Sequence, residues 1–231
     1  MNSDGKNPQT VGIIMDGNRR WAKGRGLPAM EGHRAGGETL KKIVRVARDV
    51  GLKHIIFFAF STENWNRSEE EVSYLLNLIG EFLKKELDHF NSEGGILHYV
   101  GDLTRFSPEL QKLFKKSEEK TVKNPGPHVY FALNYGGRQE ILSAVKKIVG
   151  ENPKPEEITE KYFGEHLQTF EMPDPDIIIR TSGEMRLSGF LPWQGVYSEL
   201  FFTPTLWPDF SEKEFLEILE EYKKRERRNG K

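Results

Sequence analysis

A carboxylate, an amide and two guanidinium groups follow an apolar run near the start of the chain. The segment IIMDGNRRW, which begins at Ile13, contains Asp16, Gly17, Asn18, Arg19, Arg20 and Trp21 in a row. Proteins usually hold Mg²⁺ by one or two carboxylates together with the oxygens of a substrate. Arginine binds phosphate in a forked geometry, and glycine lets the backbone approach a ligand closely. The segment therefore predicts a magnesium-assisted phosphate site; for Asp16 alone, a plain ion pair with the arginines is the alternative.

Similar polar segments follow three other apolar runs. They are STENWNR after Phe60, NYGGR after Leu133 and RTSGEMRLSG after Ile179. If these runs are parallel strands, their carboxyl ends lie at one edge of a sheet, where ligands of such sheets usually bind. The arginine, serine and glycine content of the segments predicts one site that prefers anions.

The segment GHRAGGET from Gly32 comes close to a nucleotide-binding P-loop. Glu38 stands where the P-loop needs a lysine, and a carboxylate there would repel the phosphates. We therefore exclude a nucleotide triphosphatase. The glycines are expected to open a helix whose first-turn N–H groups could receive a phosphate, with His33 and Arg34 at its entrance.

The elements that must position these residues alternate along the chain. Six short apolar runs begin at Val11, His54, Ile96, His128, Asp176 and Glu199. Their continuous apolarity is typical of strands buried on both faces. Helical patterns lie between them: one ends at Gly51, one starts with a capping box of Ser68 and Glu71, and others cover about 108–122, 138–149, 160–167 and 211 onward. The fold class is α/β, with a mostly parallel sheet.

Length and composition limit the alternatives. A chain of 231 residues fits a single domain, 1–231, of which residues 1–10 are expected to be flexible. Lys plus Arg (34) nearly cancels Asp plus Glu (35), so nucleic acid is not an expected partner. There is no cysteine, which excludes disulfides and thiolate chemistry. Without a signal peptide or a spanning apolar run, we expect a cytoplasmic protein.

The predicted helix after Ser68 carries an apolar stripe that is wider than a single packing contact with one neighbouring element would bury. Most of this stripe is expected to pack on the sheet. If part of it faces elsewhere, it lines an apolar cleft beside the phosphate site. A substrate with a charged head and a greasy tail suits that geometry.

The motifs together resemble a known family. IIMDGNRRWA, GHRAG, FAFSTENWNRS, NYGGR, IRTSGEMRLSGFLPWQGVYSELFFTPTLWPDF and RERRNG occur in this order and span nearly the whole chain. In this combination they resemble the cis-prenyltransferases, the family of undecaprenyl diphosphate synthase. The resemblance implies a single domain with a six-stranded, mostly parallel sheet, surrounding helices and a hydrophobic tunnel.

The resemblance also implies residue roles. Asp16 would bind Mg²⁺ and Glu199 would assist it. The primer diphosphate would be bound by Gly17, Asn18, Arg19, Arg20, Trp21 and His33. The covering loop would contribute Ser61, Asn64, Trp65 and Arg67, and the head of isopentenyl diphosphate would be bound by Arg180, Arg186 and Ser188. Members of the family are homodimers, in which the segment around Glu199 and the C-terminal Arg228, Asn229 and Gly230 reach the neighbouring site.

The implied reaction joins isopentenyl diphosphate to an allylic primer, farnesyl or geranylgeranyl diphosphate. Its product would be a Z-polyprenyl diphosphate, a precursor of the lipid carrier for cell-wall or glycan synthesis. Asn18, Ser61, His33 and the departing diphosphate are alternative proton acceptors. Because the product is insoluble, peripheral contact with a membrane is expected.

Two positions depart from the family pattern. Thr10 replaces a histidine found in many members, and Ala29 replaces a basic residue. Loss of a charge-assisted bond to the primer diphosphate would cost about 1.5–3 kcal/mol, and we hypothesise that Arg19 compensates.

The sequence excludes one of three rival functions and leaves two as alternatives. A trans-type synthase is excluded because the chain has no paired-aspartate motif. A non-catalytic partner subunit that supports another synthase is the main alternative. A phosphatase of polyprenyl phosphates is a more distant one, and it would release phosphate without chain growth.

Overall fold

The computed structural model describes residues 7–225. Within them, all six apolar runs form strands of a single sheet. The strands are β1 Thr10–Ile14, β2 His54–Ser61, β3 Ile96–Val100, β4 His128–Tyr135, β5 Ile177–Arg180 and β6 Glu199–Phe202. Their order is β3-β4-β2-β1-β5-β6, and every neighbouring pair is parallel. The α/β prediction is confirmed, and the sheet is wholly parallel in this part of the chain.

Helices connect the strands. Residues 7–225 contain α1 Asn18–Gly24, α2 Ala29–Asp49, α3 Glu69–Ser92, α4 Pro108–Thr121, α5 Gly137–Glu151, α6 Glu160–Glu165 and α7 Glu212–Lys224. The predicted cap of α3 forms, because Ser68 Oγ accepts a hydrogen bond from Glu71 N at 3.3 Å. The reciprocal half of the expected capping box is replaced, since the Glu71 carboxylate pairs with arginines instead.

The start of α2 corrects the prediction for the glycine-rich segment. The helix begins at Ala29, so Gly32 and His33 lie inside it and do not open it. The N–H groups from Gly36 onward are engaged in the helix. A phosphate held by first-turn donors would have to approach Ala29 rather than the glycines. The glycines serve another purpose, described below.

The core occupies both faces of the sheet because neighbouring residues of each strand point to opposite sides. Ile13 packs in the larger cluster, with residues of α2, α3, α4 and α7. Ile14 packs in the smaller cluster on the other face, with Phe190 and Leu191. Burial of both faces explains why the strands read as continuous apolar runs.

Helices α2 and α3 are joined by their side chains. Lys41 Nζ lies 3.1 Å from Glu86 Oε1, and Arg48 pairs with Glu93. Phe82 of α3 is only partly buried, and its ring faces Gly37 of α2.

The N-terminal segment is fixed from Gln9 onward. The Gln9 and Thr10 backbone N–H groups donate to Asp176 Oδ2 at 2.7 and 3.0 Å, and Thr10 is buried. The expected flexibility of residues 1–10 therefore does not include Gln9 and Thr10, while residues 1–6 lie outside the described part. Between residues 7 and 225, no helix is both long and apolar enough to cross a bilayer.

Candidate active site

The polar segments that follow β1, β2, β4 and β5 meet at the carboxyl edge of the sheet, as the sequence predicts. Ile14, near the end of β1, is paired in register with Arg180, the last residue of β5. Asp16 therefore lies beside Arg180, although the two are distant in sequence. The four segments come from adjacent strands in the central part of the sheet.

An aspartate and two arginines form the centre of this edge. Arg180 Nη2 donates to Asp16 Oδ2 at 2.9 Å, and Arg20 Nη2 lies 3.5 Å from the same oxygen. Arg180 is only 4% exposed, so it is a cation held almost entirely out of water. Such a group needs an anionic partner, because an unpaired buried charge is very costly.

The charge state of Asp16 follows from these neighbours. Burial by itself raises the pKa of the Asp16 carboxyl. The hydrogen bond and the charge of Arg180 act against burial, with help from Ser182 and Arg20, and the resulting pKa lies below the ordinary value. Asp16 is thus a carboxylate at neutral pH, the form that a hard cation requires.

The turn after Asp16 requires glycine. Gly17 has φ 107°, a conformation that L-residues rarely adopt. A Cβ atom there would lie 2.9 Å from Leu206 Cδ2 and 3.0 Å from Ser182 Cβ. Gly17 N donates to Asp16 Oδ1 at 2.7 Å, which fixes the carboxylate between the turn and Arg180.

The segment after β5 wraps around Arg20 and Arg180. Ser182 has φ 81°, and its hydroxyl and carbonyl oxygens both accept hydrogen bonds from Arg20. Arg180 Nη1 donates to Ser188 Oγ at 2.8 Å and to the carbonyl of Arg186. The segment therefore holds both arginines in place and presents its own hydroxyls beside them.

A second group of charges surrounds His33. Arg19 and Arg67 both pair with Glu71, at 3.5 and 2.7 Å. Burial, then the charge of Arg67, lowers the pKa of His33 to about 4; Glu71 acts in the opposite direction and Arg19 in the same direction. His33 is neutral at pH 7, and its buried Nε2 has no hydrogen-bond partner within residues 7–225.

A third group of hydrogen bonds joins the carboxyl ends of β2 and β4 to the residues that follow β2 and β3. Trp65 Nε1 donates to Asn134 Oδ1 at 2.7 Å, and Asn134 Nδ2 donates to the carbonyl of Asp102 at 2.7 Å. Ser61 N donates to Asn64 Oδ1 at 2.9 Å. These bonds fix Ser61, Asn64 and Trp65 at the same edge as Asp16, on the β2 side.

Asn18, the first residue of α1, faces α2. Its Nδ2 donates to the carbonyl of Met15 at 3.0 Å, which closes the turn between β1 and α1. Its Oδ1 is buried and lacks a partner in the described part of the chain. A Cβ atom on Gly36 of α2 would lie 2.3 Å from this oxygen, so the glycine allows Asn18 to sit on α2.

Comparisons with known proteins decide the family. A family model described as putative undecaprenyl diphosphate synthase matches residues 14–230. The chain belongs to the undecaprenyl diphosphate synthase family. The cis-prenyltransferase resemblance is therefore confirmed, and the chain is an enzyme that transfers prenyl groups.

Individual relatives agree with this assignment. The isoprenyl transferase of Rhizobium meliloti is 46% identical over 227 residues, 96% of this chain and 92% of the relative. That of Thermotoga maritima is 46% identical over 225 residues, 96% of this chain and 97% of the relative.

Two solved structures share the fold over essentially whole chains. Lavandulyl diphosphate synthase from Lavandula x intermedia, in complex with dimethylallyl diphosphate, has a TM-score of 0.93 at 35% identity, over 99% of this chain and 100% of that one. A probable undecaprenyl diphosphate synthase from Campylobacter jejuni has a TM-score of 0.82 at 30% identity, over 100% of both chains.

Two residues expected at the prenyltransferase site lie elsewhere in the described chain. Trp21 Nε1 donates to Asp209 Oδ1 at 2.7 Å, so its indole faces the segment after β6. Glu199 is the first residue of β6 and pairs in register with Ile177, about 10 Å from the level of Arg180. It forms an ion pair with Arg225 at 2.6 Å. Within one chain, Glu199 therefore cannot share an ion with Asp16; Arg228, Asn229 and Gly230 lie outside the described residues.

The donor set at Asp16 fits a magnesium ion only in part. In residues 7–225, no group of three or more His, Cys, Asp or Glu side chains is placed to hold a metal. One ionised carboxylate in an arginine-rich site suits Mg²⁺ that is held mainly by substrate oxygens.

Three residues of the site were missed by reasoning from the sequence. Ser182 contacts Arg20, Glu184 pairs with Arg20 and Arg186, and Glu71 pairs with Arg19 and Arg67. No motif of the sequence singled out Ser182, whose oxygens accept hydrogen bonds from Arg20. Glu71 was considered only as part of a helix cap.

Proposed function

We propose that this prenyltransferase elongates an allylic diphosphate by repeated condensation with isopentenyl diphosphate and forms a Z-polyprenyl diphosphate. The observation that carries the proposal is the pairing of ionised Asp16 with buried Arg180 at the carboxyl ends of β1 and β5. This arrangement puts an oxygen ligand and a fixed cation side by side, which is what a diphosphate with its metal ion requires.

The two diphosphates have separate binding groups in this proposal. The allylic diphosphate is bound at the turn from Gly17 to Arg20, beside Arg19 and neutral His33. The isopentenyl diphosphate is bound by Arg180, Arg186 and Ser188, whose hydrogen bonds already converge on one another. Arg180 Nε is buried and has no partner within the described part of the chain, so a diphosphate oxygen that reached it would satisfy an otherwise unpaired donor.

Catalysis follows from the charges at this edge. Arginines fixed before the substrate arrives stabilise the negative charge that develops on the departing diphosphate, without reorganising during the reaction. Asp16 would hold Mg²⁺, which when bound neutralises diphosphate charge. Neutral His33, whose buried Nε2 has no partner in the described residues, is one acceptor we propose for the proton released when the new double bond forms, and its lowered pKa makes it a weak base. Asn18, Ser61 and the diphosphate itself are the other acceptors we consider.

The apolar part of the substrate is proposed to lie between α2 and α3. Phe82 of α3 is partly buried and faces Gly37 of α2, and two side-chain ion pairs also join the helices. A prenyl chain that grows between the helices would have to push them apart. The proposed hydrophobic tunnel, and with it the product length, is tested by sizing products after Phe82→Ala, which should lengthen them.

A homodimer is proposed because the segment before β6 exposes apolar side chains. Tyr197 is 81% and Val196 67% exposed, next to Glu199 on an edge strand. A second copy that covers this segment would also offer Glu199 a route to a neighbouring Asp16. Light scattering should show a dimer, and Tyr197→Glu should shift it to monomer; a monomeric unchanged chain contradicts the proposal.

The product's role is proposed as a lipid-carrier precursor for cell-wall or glycan synthesis. Cytoplasmic location with peripheral membrane contact is proposed because the product is insoluble. Cell fractionation tests both: recovery in the soluble and the loosely bound membrane fractions is expected, and salt-resistant membrane association contradicts them.

The activity is tested with purified chain, magnesium chloride, labelled isopentenyl diphosphate and either farnesyl or geranylgeranyl diphosphate. Products are sized by chromatography. Asp16→Asn should lower kcat about 100-fold or more, because an electrostatic group that acts on developing charge contributes that much. Asp49→Asn, an exposed change at the end of α2, is the matched control.

Failure of the assay would redirect the function in defined ways. No extension of any primer would favour the non-catalytic partner subunit. Phosphate release without growth would favour a phosphatase. Turnover of dimethylallyl diphosphate alone would favour a reaction like the one named for the Lavandula relative.

A further inference from the structure

A glutamate lies between two arginines that the proposed function assigns to different diphosphates. Glu184 Oε1 is 3.4 Å from Arg20 Nη1, and Glu184 Oε2 pairs with Arg186 Nη1. Each oxygen of this carboxylate thus faces a different guanidinium group. Arg20 belongs to α1, after β1, while Arg186 belongs to the segment after β5.

The carboxylate has the same charge and the same kind of oxygen as a phosphate. Arginine binds carboxylates and phosphates with the same forked donors, so the two compete wherever they meet the same guanidinium. Arg20 donates hydrogen bonds to the hydroxyl and carbonyl oxygens of Ser182. Its contacts with Glu184 at 3.4 Å and with Asp16 at 3.5 Å are longer. Arg20 can therefore stay in place when Glu184 leaves.

Glu184 is also able to move. Its side chain is 32% exposed, so the carboxylate can turn toward water without a change in the backbone. No hydrogen bond from a backbone N–H to its carboxylate is present in residues 7–225. The two arginines are what hold the carboxylate at the site.

We propose that Glu184 is an internal competitor of the diphosphates, which neutralises Arg20 and Arg186 in the free protein and is displaced when a diphosphate binds. This inference rests on the proposed function. Competition weakens the binding of every diphosphate at the site, including the inorganic diphosphate that the reaction releases. Glu184 thereby favours product release at the cost of substrate affinity.

The opposite role is also testable. If Glu184 acted only to position the arginines, its removal would let Arg20 and Arg186 move and would weaken diphosphate binding. The two roles therefore predict changes of opposite sign in one measured dissociation constant.

The experiment is calorimetric titration of the full chain with sodium pyrophosphate and magnesium chloride, without prenyl substrate. We expect Glu184→Gln to lower the Kd about 3- to 10-fold, since two partly exposed ion pairs no longer have to be broken. Glu217→Gln on α7 removes the same charge from a helix face whose partner is Lys213, and should leave the Kd unchanged. Thermal melting of both variants should match the wild-type chain.

Three results would overturn the inference. If the wild-type chain binds pyrophosphate and Glu184→Gln has an unchanged or higher Kd, the inference is overturned and the proposed function stands. An equal decrease in Glu217→Gln also overturns it, because net charge would then explain the effect. If the wild-type chain does not bind pyrophosphate, the proposed function falls and this inference falls with it.

Discussion

Replacement of Gly36 by alanine tests how α1 and the turn that precedes it are held on α2. A Cβ atom at Gly36 would lie 2.3 Å from Asn18 Oδ1 and 2.8 Å from Trp207 Cδ1. Trp207 has little freedom to retreat, because it is buried and its Nε1 donates to the Gly36 carbonyl at 2.9 Å. Gly36→Ala should therefore push Asn18 and α1 away from α2.

The adjacent Gly37 provides a matched control. A Cβ atom there would lie 3.8 Å from Phe82, which is ordinary contact. Both alanines gain about 1 kcal/mol of helix propensity, so this gain cancels when the two variants are compared. The remaining difference is the overpacking at Gly36, about 1–3 kcal/mol.

Urea unfolding of the two variants measures this difference directly. We expect Gly37→Ala to be slightly more stable than the wild-type chain, and Gly36→Ala to be about 1–3 kcal/mol less stable than Gly37→Ala. Pyrophosphate binding should weaken only in Gly36→Ala, because Asn18 closes the turn that carries Asp16. Equal stability of the two variants would refute the reasoning that α1 is seated on Gly36.

Further predictions concern single contacts. Arg180→Lys should raise the KM for isopentenyl diphosphate at least 10-fold in steady-state assays, because an ammonium cannot reach Asp16, Ser188 and the Arg186 carbonyl together; an unchanged KM would contradict the assignment. Glu140 is buried and accepts four hydrogen bonds from Tyr135, Thr169 and Gln194. Glu140→Ala should lower the free energy of unfolding in urea by about 3 kcal/mol, and Glu140→Gln should lower it less because it keeps part of the network. Equal losses in the two variants would show that these bonds matter little. The pKa of His98 is lowered to about 4 by burial first and by His128 and His54 next, so the unfolded chain binds its proton more readily. The free energy of unfolding should therefore fall by about 1–2 kcal/mol as the pH drops from about 6.5 to 4, after allowance for the partial exposure of His98. Unfolding titrations of His98→Phe should show a weaker dependence on pH. The same slope in the wild-type chain and in His98→Phe would refute this prediction.

The strands were predictable because each of them is a continuous apolar run, the pattern expected of a strand that is buried on both faces. Ile13 and Ile14 face opposite sides of the sheet, and both sides are covered, so every residue of β1 had to be compatible with a dry environment. The parallel arrangement followed from the alternation with helices. That Asp16 and Arg180 lie at the same edge followed from this arrangement, whereas their direct contact also required β1 and β5 to be neighbours.

The bounds of α1 and α2 were harder to predict because tertiary contacts set them. Helix α1 has only seven residues and one buried side chain, Ala22, so it has no amphipathic pattern of its own. Gly32 and Gly36 lie on one face of α2 and look like helix breakers until α1 is placed against them.

The charged partners of the site could not be read from spacing. Glu71 and Glu184 act through arginines from other segments, so their roles appear only in three dimensions. The position of Glu199, in contrast, was available from the sequence. Glu199 begins a strand, whereas Asp16, Ser61 and Arg180 lie at or just after strand ends, and this already separates Glu199 from Asp16 within one chain.

The histidines His54, His98 and His128 lie near the starting edge of the same sheet, which makes acid tolerance and turnover separately adjustable. From His54 to Ser61, β2 spans roughly 23 Å. Burial lowers the pKa of all three histidines, so they are uncharged at neutral pH, and replacing one of them by a neutral residue leaves the charges around Asp16 unchanged. Variants suited to acidic conditions can be selected at one edge of the sheet without retuning the chemistry at the other.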